Sequence, residues 1–274
     1  MAETTTERLL EIGIMATSLI DTHTHLDAEE FGDDLDDVIA ASRANGITRW
    51  INVGFSTTRW ESTVALAARF DGLSYMLGVH PGHADEWSDE TARQLNARVR
   101  STGPVAIGEI GLDLYWRQDN LPSQITALEQ QLDLATSMQL PTVLHMREAD
   151  EELLRILNGR TTLPHLHFHS FDGNDRLRRW VLERQSTIGV GGLMSRKGSE
   201  ALRSWIADFP RERVVLETDS PYLKPQGIRG TRNQPAHLTR VADILAELWG
   251  ATRADVDTIT TANACRIFNM DYEG

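Results

Sequence analysis

The sequence predicts a (β/α)8 barrel of the TIM type with additional C-terminal helices, and three observations carry that prediction. Eight apolar, β-branched runs alternate with helical patterns, which implies parallel strands joined by right-handed crossovers. A length of 274 residues suits a closed barrel of about 250 residues. Residues able to bind a metal fall where one apolar run after another stops, and barrels build their sites at the C-terminal ends of their strands. An open doubly wound sheet is the structural alternative. It lacks a Gly-x-Gly-x-x-Gly after the first run, and Gly-Glu-Ile-Gly in the fourth is a poor substitute.

In chain order, strands are expected over Ser18 to His25, Arg49 to Gly54, Ser74 to His80, Val105 to Leu112, Pro141 to His145, His165 to Phe171, Ser186 to Gly191 and Arg213 to Thr218. Helical patterns lie between them. Asp34 to Asn45 ends in Asn-Gly, Thr58 to Phe70 ends in Asp-Gly, and Pro122 to Gln139 opens on a proline that a first turn tolerates. Asp89 to Arg100, Ala149 to Leu157, Asn174 to Arg184 and Ser199 to Asp208 fill the other gaps, and Pro235 to Trp249 and Arg253 to Phe268 close the chain. Residues 1–17 read as a loosely attached extension to one barrel domain over residues 18–274.

A formal net charge of -13 argues against a protein that coats nucleic acid, because its field repels polyphosphate. A cleft holding divalent cations reverses that sign locally. The one cysteine, Cys265, reads as a packed thiol in a reducing compartment. The N-terminus has no basic leader followed by a long apolar stretch, and no segment approaches the roughly 18 apolar residues of a membrane span. A cytoplasmic protein is expected.

His23 and His25 share one side of the first strand. His80, Glu109, His145, His169 and Asp219 each arrive at or near the end of a later strand. Imidazoles mixed with carboxylates suit zinc, manganese, iron or nickel, whereas an all-oxygen site suits magnesium or calcium. Four histidines with one glutamate and one aspartate exceed the needs of a single ion. Two divalent metals (Mg, Mn or Zn), about 3.5–4 Å apart, are therefore expected, with Glu109 placed to bridge and Asp219 to orient or deprotonate the attacking water. His165, His167 and His169 face one way, and only the end-of-strand rule favours His169. Glu217 points the same way as Asp219 but deeper, where it can support a ligand histidine.

His80 is a candidate to face substrate, with a structural role as its alternative, and Arg147 a candidate phosphate clamp, or else a partner in a salt bridge to Glu148, Asp150 or a neighbouring loop. The loop Lys224 to Pro235 is basic and glycine-bearing, and it follows the eighth strand, where barrels often bind phosphate. Arg229 and Arg232 there, and Arg117 beside Tyr115 and Trp116, complete the substrate-binding candidates, with a solvated loop salt-bridged to neighbouring acids as the alternative for the loop and core packing as the commoner use of the two aromatics. His83 reads as a loop residue and His237 as a helix-start residue.

The segments Asp21-Thr-His-Thr-His-Leu26, Gly78-Val-His-Pro81, Gly108-Glu-Ile-Gly-Leu-Asp113, His145-Met-Arg147, His169-Ser-Phe-Asp-Gly173, Gly189-Val-Gly191, Glu217-Thr-Asp-Ser-Pro-Tyr222 and Arg229-Gly-Thr-Arg-Asn233 together resemble the TatD family of metal-dependent deoxyribonucleases. The resemblance implies His23, His25 and Asp219 on one metal, His145 and His169 on the other, and Glu109 shared. It selects His169 among the three histidines and sets His80 and Arg147 beside substrate. It further implies 3′ to 5′ removal of nucleotides from single-stranded or frayed DNA by metal-activated water. Two departures stand out. The family's His-Cys-Phe-Ser-Gly is here His169-Ser-Phe-Asp-Gly173, and the stretch after Glu109 ends in Leu-Tyr-Trp in place of two tyrosines. Neither removes a ligand, and both leave substrate choice to the loops. The same cage would also serve an ester or amide hydrolase such as a D-aminoacyl-tRNA deacylase, or a metal-binding protein without significant catalysis.

Overall fold

A computed structural model describes residues 18–271; the expected extension, residues 1–17, lies outside the described residues. Eight strands, β1 (Leu19–Thr24), β2 (Ile47–Gly54), β3 (Leu73–Leu77), β4 (Ala106–Asp113), β5 (Thr142–Arg147), β6 (Leu166–Phe168), β7 (Thr187–Val190) and β8 (Val214–Leu216), lie side by side in chain order. Every pairing is parallel. Closure comes just beyond β8. Thr24 bridges Ser220 in parallel, the Asp219 N–H donates to the His23 carbonyl at 2.9 Å, and the His25 N–H donates to the Ser220 carbonyl at 2.8 Å. The open doubly wound alternative is thereby excluded.

The crossover helices are α1 (Leu35–Ala44), α2 (Trp60–Ala67), α3 (Asp89–Thr102), α4 (Leu121–Met138), α5 (Asp150–Asn158), α6 (Asp175–Glu183) and α7 (Glu200–Asp208), followed by α8 (Leu238–Trp249) and α9 (Arg253–Phe268). Their ends follow local chemistry. The Ser88 side chain caps α3 by accepting from the Thr91 N–H, and Gly103 ends that helix at φ 66. Thr252 and Asp255 form a reciprocal capping box on α9.

β1 and β4 are buried along their whole length, as strands covered on both faces must be. Ile20, Ile51, Val53, Met76, Ala106, Val143 and Val215 come from six strands yet form one cluster with Ala264, Cys265, Ile267 and Phe268 of α9. Side chains from so many strands meet only inside the barrel, so α9 closes its lower end and leaves the strand C-termini free for a site.

Several expected boundaries move. β3 stops at Leu77, because the following segment leads into Pro81, which lacks an N–H for the ladder and opens a 3-10 turn (Pro81–Glu86). β5 runs past His145 to Arg147, whose carbonyl accepts from the Leu114 N–H at 3.0 Å. Tyr115 and Trp116 are not core residues. They are 48% and 71% exposed, since the chain has left the barrel wall there. Among the described residues, no helix is long and apolar enough to cross a membrane.

Candidate metal centre

His23 is buried within β1, and His25 lies one residue beyond it. His23 Nε2 is 3.4 Å from Glu109 Oε2 and 3.8 Å from Asp219 Oδ1, and His25 Nε2 is 3.2 Å from Asp219 Oδ1. The rings of His23 and His169 stack with centroids 3.6 Å apart, and His169 Nε2 is 3.6 Å from Glu109 Oε1. Three overlapping groups result, His23–His25–Asp219, His23–Glu109–His169 and His80–Glu109–His145, each with ligand atoms within 4.8 Å of one another. Glu109 belongs to two of them. All six expected ligands therefore meet at one rim.

Local backbone aims them. Asp219 sits at φ 56, and Ser170 after His169 and Glu148 after Arg147 sit at φ 43 and φ 54, a region non-glycine residues seldom adopt. The chain thus reverses sharply at or just after residues that face the rim. Asp219 is held by its own N–H on the His23 carbonyl and by the Tyr222 N–H on its carbonyl at 2.8 Å. Asp21, fully buried, accepts from the Thr218 backbone N–H at 2.9 Å and from its hydroxyl at 2.6 Å, locking β1 to the Asp219 segment.

A second ring of groups orients the first. Glu217 Oε1 is 3.1 Å from His169 Nδ1 and accepts from the Ser170 N–H. Gly189 makes room for it, since a Cβ there would stand 2.0 Å from Glu217 Oε2. His145 Nδ1 is 2.8 Å from Glu109 Oε1, and its Nε2 is 3.0 Å from Asp113 Oδ2. His80 Nδ1 accepts from the Gly82 N–H at 3.0 Å, which puts its proton on Nε2, 3.8 Å from Glu109 Oε1.

Charge and burial fit this donor set to cations. Burial pushes Glu109 and Glu217 upward, yet neighbouring imidazoles hold both carboxyls well below the usual range. Against its own burial, His169 is driven up to about 10 by Glu217, Glu109 and Asp219, and His145 up to about 9 by Asp113 and Glu109. The carboxylates thus draw positive charge into the site, which divalent ions supply once bound. Both ring nitrogens of His23 and Nδ1 of His25 are buried without a hydrogen-bond partner, an expense that makes sense for ligand atoms.

The remaining expected residues divide. His167 lies deeper, against Thr187 at 3.0 Å and the Phe268 ring, while His165 also meets Thr187 at 3.1 Å. Arg147 makes no salt bridge to Glu148 or Asp150; its guanidinium lies 3.7 Å over the Tyr115 ring. Arg117 is ion-paired with Asp85 and Asp119, and Arg232 with Asp34 by two bonds of 2.8 and 2.7 Å. Arg229 is exposed, and Lys224 donates to the Ile228 carbonyl. His83 pairs with Glu86 at 2.7 Å, and His237 caps the turn before α8 with Gln234.

Sequence reasoning missed Asp113, the space at Gly189, and Tyr222, whose ring lies 5.5 Å from that of His25. For Asp113 a signal existed: Glu109, Gly111 and Asp113 alternate on one face of β4.

Comparison with known proteins agrees with this geometry. The family described as TatD related DNase matches residues 20–269. YabD of Bacillus subtilis, named an uncharacterized metal-dependent hydrolase, is 31% identical over 92% of this chain and all of its own length. A protein of Cronobacter sakazakii named 3′-5′ ssDNA/RNA exonuclease TatD is 34% identical over 91% of this chain and 97% of its own. The crystal structure of YjjV, a TatD homolog from Escherichia coli K12, superposes with a TM-score of 0.87 at 30% identity, covering 94% of this chain and 100% of that one. The chain belongs to the TatD-related DNase family and is a metal-dependent hydrolase.

Proposed function

We propose that this hydrolase is an exonuclease that removes nucleotides from the 3′ end of single-stranded or frayed DNA with two divalent cations. The observation that carries the reading is the single rim where His23, His25, Asp219, Glu109, His145 and His169 converge with unpartnered imidazole nitrogens. Relatives named as 3′-5′ ssDNA/RNA exonucleases support the substrate class. His23, His25 and Asp219 would hold one ion and His145 and His169 the other, with Glu109 common to both; zinc and manganese suit these donors. When bound, the ions supply charge that polarises the phosphodiester and makes water a better nucleophile.

The protein's own groups do the rest. Asp219 Oδ1 faces His23 and His25, so Oδ2 is the atom that takes the proton of the attacking water. His80 Nε2–H, fixed as a donor by the Gly82 contact, donates to a non-bridging phosphate oxygen. Water attacks phosphorus, the bond from phosphorus to the 3′ oxygen breaks, and that oxygen leaves as a hydroxyl after taking a proton from solvent.

The test is digestion of 5′- and 3′-end-labelled oligonucleotides by protein reconstituted with Zn or Mn. Stepwise shortening from the 3′ end is expected, and Glu109→Ala should abolish it and lower the bound metal while the circular dichroism spectrum persists. Intact single-stranded DNA after incubation with metal-loaded protein overturns the reading. Faster turnover of an aminoacyl ester than of any oligonucleotide would assign the site to acyl substrates.

A further inference from the structure

We infer that Trp116, Tyr115 and Arg147 form a stacking platform for a nucleobase of the single-stranded substrate, fixed to the metal-binding rim through Asp113. The inference rests on the exonuclease reading and names a part of the substrate that this reading leaves without a contact.

Large hydrophobic side chains exposed among the described residues are Tyr115 at 48%, Trp116 at 71% and Tyr222 at 48%. Each belongs to the rim. Tyr222 touches the His25 side, and Tyr115 and Trp116 are tied to the His145 side. Exposed aromatics confined to one rim mark a binding surface.

The three platform residues form a unit. The Tyr115 and Trp116 rings meet edge to face with centroids 4.8 Å apart, and the Arg147 guanidinium lies 3.7 Å from the Tyr115 centroid and 5.4 Å from that of Trp116. Among the described residues Arg147 forms no salt bridge and interacts with Asp172 only at longer range, in contrast to Arg117 and Arg232. A cation held on aromatic faces keeps its N–H edges free for phosphate oxygens, while an exposed indole offers a face to a base. Base and phosphate are the two parts of one nucleotide. In a chain of net charge -13, affinity from a base stack, which the protein's field does not oppose, has particular value.

Placement is rigid. One oxygen of Asp113 accepts the backbone N–H groups of both Tyr115 and Trp116 at 3.0 Å, and the other meets His145 Nε2 at 3.0 Å. Asp113 and Arg147 are register partners across β4 and β5. The backbone that carries the platform is therefore tied to His145 through Asp113.

The experiment measures binding of a fluorescein-labelled oligothymidylate with phosphorothioate linkages, together with kcat and KM on ordinary oligonucleotides, using the metal-loaded full chain. A scan places one abasic residue at each of the last few positions from the 3′ end. Trp116→Ala is expected to raise Kd and KM about tenfold, the order of one lost base stack, with kcat within about twofold. Trp116→Phe should recover most of the loss. At one position the abasic residue should cost the wild type a similar factor and cost Trp116→Ala nothing further. Unchanged Kd and KM in Trp116→Ala overturn the inference alone, as does a loss that is equal on intact and all abasic strands. Platform-dependent binding without cleavage keeps it and overturns the exonuclease reading; neither binding nor cleavage by the wild type overturns both.

Discussion

Gly189→Ala isolates the contribution of Glu217, a residue that touches no substrate yet sets the orientation of His169. Gly189 is not at positive φ, so its backbone accepts alanine, and the three atoms nearest to the added Cβ all belong to Glu217. The added Cβ would stand 2.0 Å from Oε2, 2.4 Å from Cδ and 2.8 Å from Oε1. A contact-distance separation requires the carboxylate to withdraw by at least about 1 Å. Glu217 is fully buried, and that withdrawal loses its alignment with the Ser170 N–H and with His169 Nδ1. Disrupting a buried charged pair costs about 3 kcal/mol or more, a fall in Tm of about 6–12 °C at 2–4 °C per kcal/mol. Metal affinity should fall about 10- to 100-fold, as for other groups that orient a ligand histidine. Calorimetric titration with Zn or Mn and thermal melts measure both. In a Glu217→Ala background the space is free, so Gly189→Ala should add little to either loss, and the cycle gives the coupling directly. Wild-type metal affinity and a Tm within about 1 °C of the parent in the single variant would refute the argument that this glycine exists to seat Glu217.

Chelation of the wild type is expected to lower Tm by about 5–10 °C for each ion held at about 100 times its Kd, and readdition of Zn or Mn should restore it; calorimetry checks this. Arg232→Ala should lower Tm by an amount that shrinks with added salt, because its guanidinium is committed to Asp34, and should leave KM for oligonucleotides within about twofold. Cys265 is buried, and burial pushes its thiol above the ordinary range, so at pH 8 its thiolate fraction lies below that of the unfolded chain. Alkylation followed by mass spectrometry should therefore be slow in native protein, rise only at higher pH, and become rapid in denaturant.

The legible parts of this molecule are those whose physics is local. Alternation along β1 is enough to put His23 and His25 on one side, and the ends of α3 and α9 follow from caps written in adjacent residues. What alternation leaves undecided is depth. His165, His167 and His169 share a face, and only the barrel's lower plug, with Phe268 against His167, separates an interior residue from one at the rim. Charge is legible as a count but not as a pairing: Arg117, Arg147 and Arg232 look alike in sequence, and only the fold brings Asp85 and Asp119 to the first, aromatic faces to the second and Asp34 to the third. Absence is least legible of all. Gly189 matters through the side chain it lacks, and that meaning arises only because β7 lies beside the segment carrying Glu217. The ligands, each announced by its own chemistry, can thus be named singly, while the groups that aim them require the closed ring of strands.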